Sequence, residues 1–380
     1  MRGRQMNTRQ RYRETMLFGN PDKVPLYPGG PRESTLKAWR AQGLPEGVPY
    51  MAAVLGNLGI DPEAALAWRS APVNFRMIPE YESVVLEHRN GHYIIRDWMG
   101  AITEISDRYD ATYLRSAKDF VTRKWHKFPV ETREDWQEMK KRFDPLEPSR
   151  LGEDFEDVCR ELKDSSQPVR IGFDGIFWQL REWCGMENLC LLMLDDPDFV
   201  AEMAQYWTDF VSVMLGRILP HIRLDGVVIS EDMAYKAHSM ISPAMTREFI
   251  LPAYKTWVPL IKNSGCLVVE MDSDGFIEDL APIWIEAGIN ACSPVEVAAG
   301  CDIKRMRRAH GKKMAFVQGI DKRVIAAGGD DLKNLVDDIV PFLFRTGGYI
   351  PGCDHAAPPD ISWQNYNDFI RLLAQHSGWL

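Results

Sequence analysis

The chain has 380 residues, and its 45 basic and 54 acidic side chains give a formal net charge of −9. Apolar residues make up 45% of the chain and charged residues 26%, as in ordinary globular proteins, so a disordered or low-complexity chain is excluded. The acidic balance argues against duplex nucleic acid as a partner, because such binding needs a basic face. It also disfavours a site that holds many anionic groups.

The apolar runs, the N-terminal residues and the cysteines indicate where in the cell the protein is expected. No run of about 18 apolar residues is free of charge, so no membrane span is predicted. The polar N-terminal residues do not fit a secretory signal. The seven cysteines are an odd number without any Cys-x-x-Cys pair, which is typical of reduced, mostly buried thiols. We therefore expect a cytoplasmic protein.

The N-terminal part predicts one strand at 24–27 and then three strands at 84–87, 93–97 and 102–105. Asn90-Gly91 between the first two of these three indicates an antiparallel hairpin. The charged segment 118–150, dotted with Trp and Phe, is predicted to add helices. We interpret 80–150 as a cap inserted into the fold.

From residue 169 onward, short apolar runs alternate with helical patterns. The predicted strands are 169–173, 226–230, 267–271, 289–292, 314–318 and 349–351. Helices are predicted to begin after Asp196 and Ser242, since each is followed by proline at the first helical position. Pro252 is expected to kink the second of these helices.

This alternation predicts parallel strands joined by right-handed crossovers. An open doubly wound sheet and a closed barrel both satisfy it. No G-x-G-x-x-G motif follows a strand, which weakens the dinucleotide-binding version. With 24–27 included, the strand count approaches the eight of a barrel. We predict an α/β fold, a (β/α)8 TIM barrel forming one domain over 1–380 with 80–150 as the inserted cap.

In such a barrel the working groups follow the C-terminal ends of the strands. The polar side chains at or just beyond the predicted strand ends include Arg32, Asp174, Glu231, Asp232, Tyr235, Lys236, Asp272, Asp274, Gln318, Cys353 and His355. Asp272 and Asp274 could share a cation or a proton, or could form an Asx-turn that caps the next helix. Cys353 could be a ligand or simply a buried thiol.

Four segments resemble uroporphyrinogen decarboxylase-fold proteins, in content and in order. They are Asn20-Pro-Asp-Lys-Val-Pro-Leu, Ile241-Ser-Pro, Gly319-Ile-Asp-Lys-Arg and Gly347-Gly-Tyr-Ile-Pro. The resemblance runs from residue 20 to the C-terminus and implies a (β/α)8 barrel. It also implies one of two chemistries: decarboxylation of uroporphyrinogen without a cofactor, or methyl transfer to or from a corrinoid carried by a partner protein. The second is known from methylcobalamin:coenzyme M and methoxyarene O-demethylase methyltransferases.

The first strand separates the two branches. The decarboxylase branch carries Met-Arg-Gln-Ala-Gly-Arg there, and its arginines meet the acidic side chains of the tetrapyrrole. Here 27–35 reads Tyr-Pro-Gly-Gly-Pro-Arg-Glu-Ser-Thr, which leaves only Arg32. One arginine in an acidic protein does not neutralise a polyanion. The resemblance is therefore closer to the corrinoid-dependent methyltransferases.

That branch uses a zinc site with His-x-Cys after one strand and a cysteine in a late Pro-Gly-Cys turn. Pro351-Gly-Cys353 matches the late half, whereas Asp272-x-Asp274 stands where His-x-Cys would fall. Two aspartates make a harder site than thiolates, which disfavours thiol activation. A methyl ether or methylamine instead needs a Lewis acid or a proton donor on its leaving atom.

We therefore predict a methyltransferase that moves a methyl group between a small O- or N-methyl substrate and a corrinoid (cobalamin). No D-x-H-x-x-G motif is present, so a partner protein would supply the corrinoid. A homodimer is expected by analogy with relatives of this fold. The alternatives are a cofactor-independent decarboxylase of the uroporphyrinogen decarboxylase type and a non-catalytic ligand-binding barrel.

The residue roles that follow from this prediction fall into three groups. The predicted catalytic residues are Asp272, Asp274, Glu231 and His355. The predicted substrate-binding residues are Arg32, Asp174, Asp232, Tyr235, Lys236 and Gln318. The predicted zinc ligands are Asp272, Asp274, Cys353 and His355.

Overall fold

The fold is taken from a computed structural model that describes residues 5–110, 113–115 and 121–380, apart from the side chain of residue 114. The strands are β1 (Val84–Arg89), β2 (His92–Arg96), β3 (Ile102–Ser106), β4 (Arg123–Lys127), β5 (Arg170–Asp174), β6 (Gly226–Ser230), β7 (Ala234–Tyr235), β8 (His238–Ser239), β9 (Val268–Asp272), β10 (Ala291–Ser293), β11 (Ala315–Val317) and β12 (Tyr349–Ile350). The α-helices are α1 (Thr8–Met16), α2 (Glu33–Ala41), α3 (Tyr50–Leu58), α4 (Arg133–Lys140), α5 (Phe155–Leu162), α6 (Ile176–Cys184), α7 (Met186–Asp195), α8 (Pro197–Ile218), α9 (Pro243–Met245), α10 (Leu251–Asn263), α11 (Ala281–Ala287), α12 (Ile303–His310), α13 (Lys322–Ala327), α14 (Gly329–Phe344) and α15 (Trp363–His376).

Six parallel strands form the main sheet in the order β12-β11-β10-β9-β6-β5. Two extended segments complete the ring. Leu26 bridges Ala65 in parallel, and Arg69 bridges Val169 at the start of β5. On the other side of the ring, the backbone N–H of Cys353 donates to the carbonyl of Pro28 at 2.9 Å. The six strands and the two segments occupy the eight strand positions of a closed barrel, so the predicted (β/α)8 fold is confirmed.

The first predicted strand, 24–27, is reduced to the single bridge at Leu26. Pro25 and Pro28 flank this bridge and have no N–H to donate to a neighbouring strand. The second strand position of the barrel, at 65–69, was not predicted. Isolated bridges leave too short a run of strand-like sequence to be recognised.

Strands β1 to β4 form a separate antiparallel sheet, here called the cap sheet, in the order β1-β2-β3-β4. The predicted hairpin is confirmed, because Asn90 and Gly91 join β1 to β2 with φ values of 52° and 75°. Positive φ at both central residues is what a tight hairpin turn requires. Strand β4 corrects the sequence prediction, which placed only helices in 118–150. Its charged residues pair with β3, for example Lys124 with Glu104, so pairing across the sheet overrides the local pattern.

The cap sheet and the helical segment after it pack differently. Ile95 and Ile105 form a small core of the sheet. Trp136 of α4 and Phe143 belong instead to the main core, where both rings contact Trp183 of α6. Of the predicted 80–150 cap, residues 111, 112 and 116–120 lie outside the described residues. The division of the chain into one domain with a cap over 80–150 stays a prediction.

Two predicted helix starts are confirmed. The Asp196 side chain accepts a hydrogen bond from the N–H of Phe199, and the Ser242 hydroxyl accepts one from the N–H of Met245. The turn just before Pro252 is π-helical over Thr246–Ile250. Because proline has no N–H to donate, a local irregularity of this kind is expected one turn before it.

Two further predictions concern membranes and thiols. No helix in the described part of the chain is long and apolar enough to span a bilayer. All seven cysteines are free thiols, and every one except Cys190 is buried. The expectation of reduced, mostly buried cysteines is thus confirmed.

Candidate active site

A row of polar residues ends four adjacent barrel strands. Asp174 pairs in register with Ser230, Ser230 with Asp272, and Asp272 with Ser293. Because neighbouring strands lie about 4.8 Å apart, the backbones of Asp174 and Asp272 are separated by about 10 Å. The C-terminal rim of the sheet therefore brings two predicted site residues to the same edge of the barrel.

Asp272 lies at the centre of this rim. The Ser230 hydroxyl donates a hydrogen bond to its carboxylate at 3.1 Å. Burial, together with the nearby Glu270, raises the pKa of Asp272 to about 6. Its carboxyl group therefore takes up a proton just below neutral pH rather than in strong acid.

Asp274 and His355, which are both predicted site residues, form a hydrogen-bonded pair. The His355 Nε2 atom lies 3.0 Å from the Asp274 carboxylate, and the N–H of Ala356 donates to His355 Nδ1 at 2.7 Å. The hydrogen bond with Asp274 raises the pKa of His355. Protonation of Nδ1 would break the bond from Ala356, so the geometry holds the neutral ring with its proton on Nε2. The Asp274 side chain is 42% exposed and is open to a ligand.

The predicted zinc site is not assembled. Cys353 is fully buried, and burial raises its thiol pKa to about 12, so it is not a thiolate at neutral pH. Asp272 is bonded to Ser230, and both nitrogens of His355 are in use. No group of three or more His, Cys, Asp or Glu residues in the described ranges could hold a metal ion. The donor set does not fit zinc, and no step is assigned to a metal.

Glu231 is placed beneath the rim rather than in the cleft. It is 0% exposed, and its carboxylate accepts hydrogen bonds from the Tyr254 hydroxyl at 2.6 Å and from two N–H groups at the start of α6, those of Ile176 and Trp178. Burial raises its pKa to about 7 against the effect of these donors. The geometry favours a role in positioning α6 over the catalytic role that the sequence predicted.

Two predicted substrate residues occupy strained backbone positions at strand ends. Asp232 has a φ of 42° and Gln318 a φ of 73°, both in the left-handed region. Such conformations persist only where the surroundings enforce them, and they cluster at functional sites. Arg181 forms an ion pair of 3.0 Å with the Asp232 carboxylate. Gln318 is half-buried at the rim.

Three other predicted substrate residues lie apart from the cavities described below. Tyr235 is 52% exposed and Lys236 is also exposed, both in the β7–β8 hairpin. Arg32 is half-buried and caps the start of α2. None of these three side chains lines either cavity.

A cavity of about 230 Å³, here called the cap pocket, lies between the cap-sheet segment and the barrel rim. Trp98, Met99 and Arg123 line it from the cap side, and Asp174 and Trp178 line it from the barrel side. Arg76, Glu80 and Glu182 complete the charged part of its wall. The cap pocket thus includes Asp174, one of the predicted substrate residues, on the rim described above.

Asp174 and Glu182 act on each other inside the cap pocket. Burial, followed by the charge of Glu182, raises the pKa of Asp174 to about 7. Burial also raises the pKa of Glu182, whose carboxylate accepts a hydrogen bond from the Trp178 indole at 2.9 Å. Burial thus favours the protonated form of each of the two carboxyl groups.

A second cavity, of about 480 Å³, adjoins the cap pocket. Both cavities are lined by Met99, Arg123, Trp178 and Glu182. The walls of the second cavity are largely apolar and include Trp125, Phe128, Met186 and Met240. The two cavities form one cleft with a charged inner end and an apolar outer end.

Comparison with known proteins assigns this barrel to a protein family. A model of the uroporphyrinogen decarboxylase family (URO-D) matches residues 127–376. The chain belongs to the uroporphyrinogen decarboxylase family. A search of curated proteins finds none that matches.

Solved structures extend the likeness of this family member over nearly the whole chain. A methyltransferase from Methanosarcina mazei is 14% identical, with 97% of this chain and 99% of that chain covered and a TM-score of 0.58. A B12-independent methionine synthase from Shewanella sp. W3-18-1 is 12% identical over 60% of this chain and 67% of that chain, with a TM-score of 0.39. The first likeness supports the fold, and the second is too distant to carry an argument.

The match to the uroporphyrinogen decarboxylase family divides the site. Asp272, Asp274, His355 and Asp174 lie within residues 127–376. Strands β1 to β3, Arg76, Trp98 and Arg123 precede the matched range. The rim therefore belongs to the part shared with the family, and the cap side of the pocket is contributed by this chain outside the match.

Four charged residues of the cap pocket were not predicted from the sequence: Arg76, Glu80, Arg123 and Glu182. Glu182 carries a local signal, because it lies four residues after Trp178 on the first helix behind a strand end, so the two share a helix face. Arg76 and Arg123 carry none. They reach the barrel only through tertiary packing of the cap sheet and the segment before it.

Proposed function

We propose that this member of the uroporphyrinogen decarboxylase family is a methyltransferase that acts on a small O- or N-methyl substrate and exchanges the methyl group with a corrinoid on a partner protein. The observation that carries the proposal is the acid-lined rim, where Asp174 and Asp272 have pKa values of about 7 and about 6. Carboxyl groups that hold protons near neutral pH suit protonation of a leaving oxygen or nitrogen.

The chemistry of the rim follows from its hydrogen bonds. The corrinoid of the partner, when present, supplies the acceptor for the methyl group. Asp272, oriented by Ser230, would donate a proton to the heteroatom that loses the methyl group. Asp274 would accept a hydrogen bond from the substrate while His355 holds its carboxylate in place.

The same rim argues against uroporphyrinogen as the substrate. The first strand position of the barrel is followed by Gly29-Gly30-Pro31-Arg32, which contains one arginine where the decarboxylase branch uses several. The rim itself carries carboxyl groups, which repel a polyanion. A substrate with few acidic groups is therefore expected.

Substitution of Asp272 tests the assignment. We expect Asp272→Ala to reduce methyl transfer to a reduced corrinoid protein at least about 100-fold, because general acid catalysis typically contributes that much. The reaction is followed by the loss of Co(I) absorbance with a panel of small methyl ethers and methylamines. Lys236→Ala, which changes an exposed side chain outside the cleft, is the matched control.

Unchanged activity of Asp272→Ala would contradict the assignment of Asp272. Release of CO2 from uroporphyrinogen would instead support the decarboxylase alternative. Binding of a substrate without turnover, even with reduced corrinoid protein present, would indicate a non-catalytic barrel.

A further inference from the structure

We propose that the cap pocket binds the substrate as a planar molecule of one-ring size with a single anionic group, held by Arg76 and Arg123. Asp174, which lines the cavity, would hydrogen-bond its polar end. This inference names the substrate class of the proposed site and in that sense rests on the proposed function, although its test does not require methyl transfer.

The two arginines provide the first argument. Arg76 and Arg123 line the cap pocket, and within the described ranges neither forms an ion pair with a carboxylate inside 4.0 Å. Other arginines around the cleft are already paired: Arg115 with Glu80 at 2.6 Å and Arg181 with Asp232 at 3.0 Å. At longer range the charge of Arg76 acts on Asp174 and Glu182, and Arg123 interacts with Asp97 and Glu182. Because neither guanidinium group is held in an ion pair inside 4.0 Å within the described ranges, both suit a carboxylate-like ligand.

The carboxyl pair provides the second argument. One oxygen of Glu182 is engaged by the Trp178 indole at 2.9 Å. The Asp174 side chain makes no hydrogen bond to any residue in the described part of the chain, although it lines the cavity. A carboxyl group in this position needs a partner from a ligand or from water. With its proton in place, it donates to an oxygen or nitrogen acceptor of the ligand.

The walls and the volume provide the third argument. Trp98, Trp178 and Phe143 present aromatic surface to the cavity, and Met77 and Met99 add flexible apolar side chains. A volume of about 230 Å³ admits a single ring with small substituents but not a tetrapyrrole. Flat apolar walls between charged ends favour a planar ligand with polar groups at its edge.

The origin of the pocket provides the fourth argument. Arg76, Trp98 and Arg123 all precede residue 127, where the family match begins. The anion-binding half of the pocket thus comes from the segment outside the family match, whereas Asp174 and Glu182 come from within it. Selectivity for the anionic group is therefore assigned to this chain rather than to the shared barrel.

Equilibrium binding tests the proposal without any corrinoid protein. Benzoate is the probe and benzamide is its uncharged counterpart, both titrated into the full chain by isothermal calorimetry. We expect benzoate to bind about 10-fold more tightly than benzamide or better, because a charge-assisted hydrogen bond is worth about 1.5–3 kcal/mol.

Substitutions assign the contacts. Arg76→Gln and Arg123→Gln should each weaken benzoate binding about 10-fold and leave benzamide binding unchanged. Asp174→Ala should weaken both probes, because it removes a donor that both carbonyl groups use. Arg371→Gln is the matched control, since Arg371 is half-exposed, paired with Asp368 and absent from the lining of the pocket. Thermal unfolding of each variant shows whether the fold is intact, and Arg76→Lys should restore part of the benzoate affinity.

Two results would overturn the proposal: benzoate binding no tighter than benzamide binding, or benzoate binding that neither arginine substitution changes. The proposed function fails separately. If benzoate binds as expected but no methyl transfer is found with corrinoid protein, the pocket stands and the methyltransferase assignment falls. If methyl transfer proceeds unchanged in Arg76→Gln and Arg123→Gln, the pocket falls and the methyltransferase stands.

Discussion

The barrel rim and the cap pocket differ in how their polar groups are satisfied. At the rim, Asp272 is bonded to Ser230 and Asp274 to His355. In the cap pocket, Asp174 and two arginines face the cavity without such partners in the described part of the chain. The rim is therefore organised before any ligand arrives, and the pocket is completed by one.

The largest expected effect is on the free energy of unfolding, and it concerns Glu231 beneath the rim. Glu231→Ala should lower the free energy of unfolding by about 3 kcal/mol or more, because it leaves the Tyr254 hydroxyl and two buried N–H groups without an acceptor. Urea unfolding measures the loss. Tyr254→Phe, which removes one of these donors, should cost about 1 kcal/mol. An unchanged midpoint for Glu231→Ala would show that the carboxylate does not hold α6 in place.

The close approach of α6 to Glu231 gives a second test. A Cβ atom at Gly175 would collide with the Glu231 carboxylate, so Gly175→Ala should destabilise the fold by about 1–3 kcal/mol. Gly216 on α8 is the matched control, because a Cβ atom there meets open space. Gly216→Ala should instead stabilise by up to about 1 kcal/mol, from helix propensity. Equal effects of the two substitutions in urea unfolding would contradict the packing argument.

Asp174 in the cap pocket should make the free energy of unfolding depend on pH. The pKa of Asp174 is raised to about 7, so the folded state binds this proton more tightly than the unfolded chain does. Stability from this group is present at low pH and is lost as the pH rises from about 4 through about 7. Asp174→Asn cannot ionise, so its free energy of unfolding should fall less across that window, by on the order of 2 kcal/mol.

Urea unfolding of Asp174→Asn at a series of pH values checks this expectation. Asp368→Asn, at an exposed carboxylate paired with Arg371, should keep the slope of the parent protein. A slope for Asp174→Asn that is as steep as that of the parent would mean that water reaches Asp174 freely.

The smallest expected effect concerns the exposed end of the rim. His355→Gln should lower methyl transfer about 10-fold, because Asp274 loses the ring that holds it. Asp274→Asn should cost a similar factor, and the double variant should be no worse than the single ones, since the two residues act as a unit. Rates are compared in the corrinoid assay. Losses that multiply in the double variant would show that the two side chains act independently.

Much of the barrel could be predicted because its signals are local. The strand at Gly226–Ser230 coincides with its prediction, and the other five strands of the main sheet overlap theirs. Asp196 and Ser242 begin helices through bonds to residues three positions on. The cap sheet was recognised up to β3, because Asn90-Gly91 has the chemistry of a hairpin turn.

The residues that failed as predictions depend on burial. Glu231 and Cys353 stand at strand ends like their neighbours, yet both are fully buried. Sequence position places a side chain at the rim but does not say whether it points into the cleft or beneath it. The zinc ligands were lost for this reason, since burial keeps the Cys353 thiol protonated.

By itself the sequence determined the alternation of strands and helices, the acid-rich strand ends and the lack of an arginine cluster after the first strand position of the barrel. These follow from periodicity, turn residues and composition, which act over a few positions. Only the tertiary structure decided that β4 joins the cap sheet and that Arg76 and Arg123 meet Asp174 and Glu182 in one pocket. The paired residues of β3 and β4 lie about 20 positions apart along the chain, and the arginines of the pocket lie about 50 to 100 positions from its carboxyl groups. No local pattern encodes such pairing.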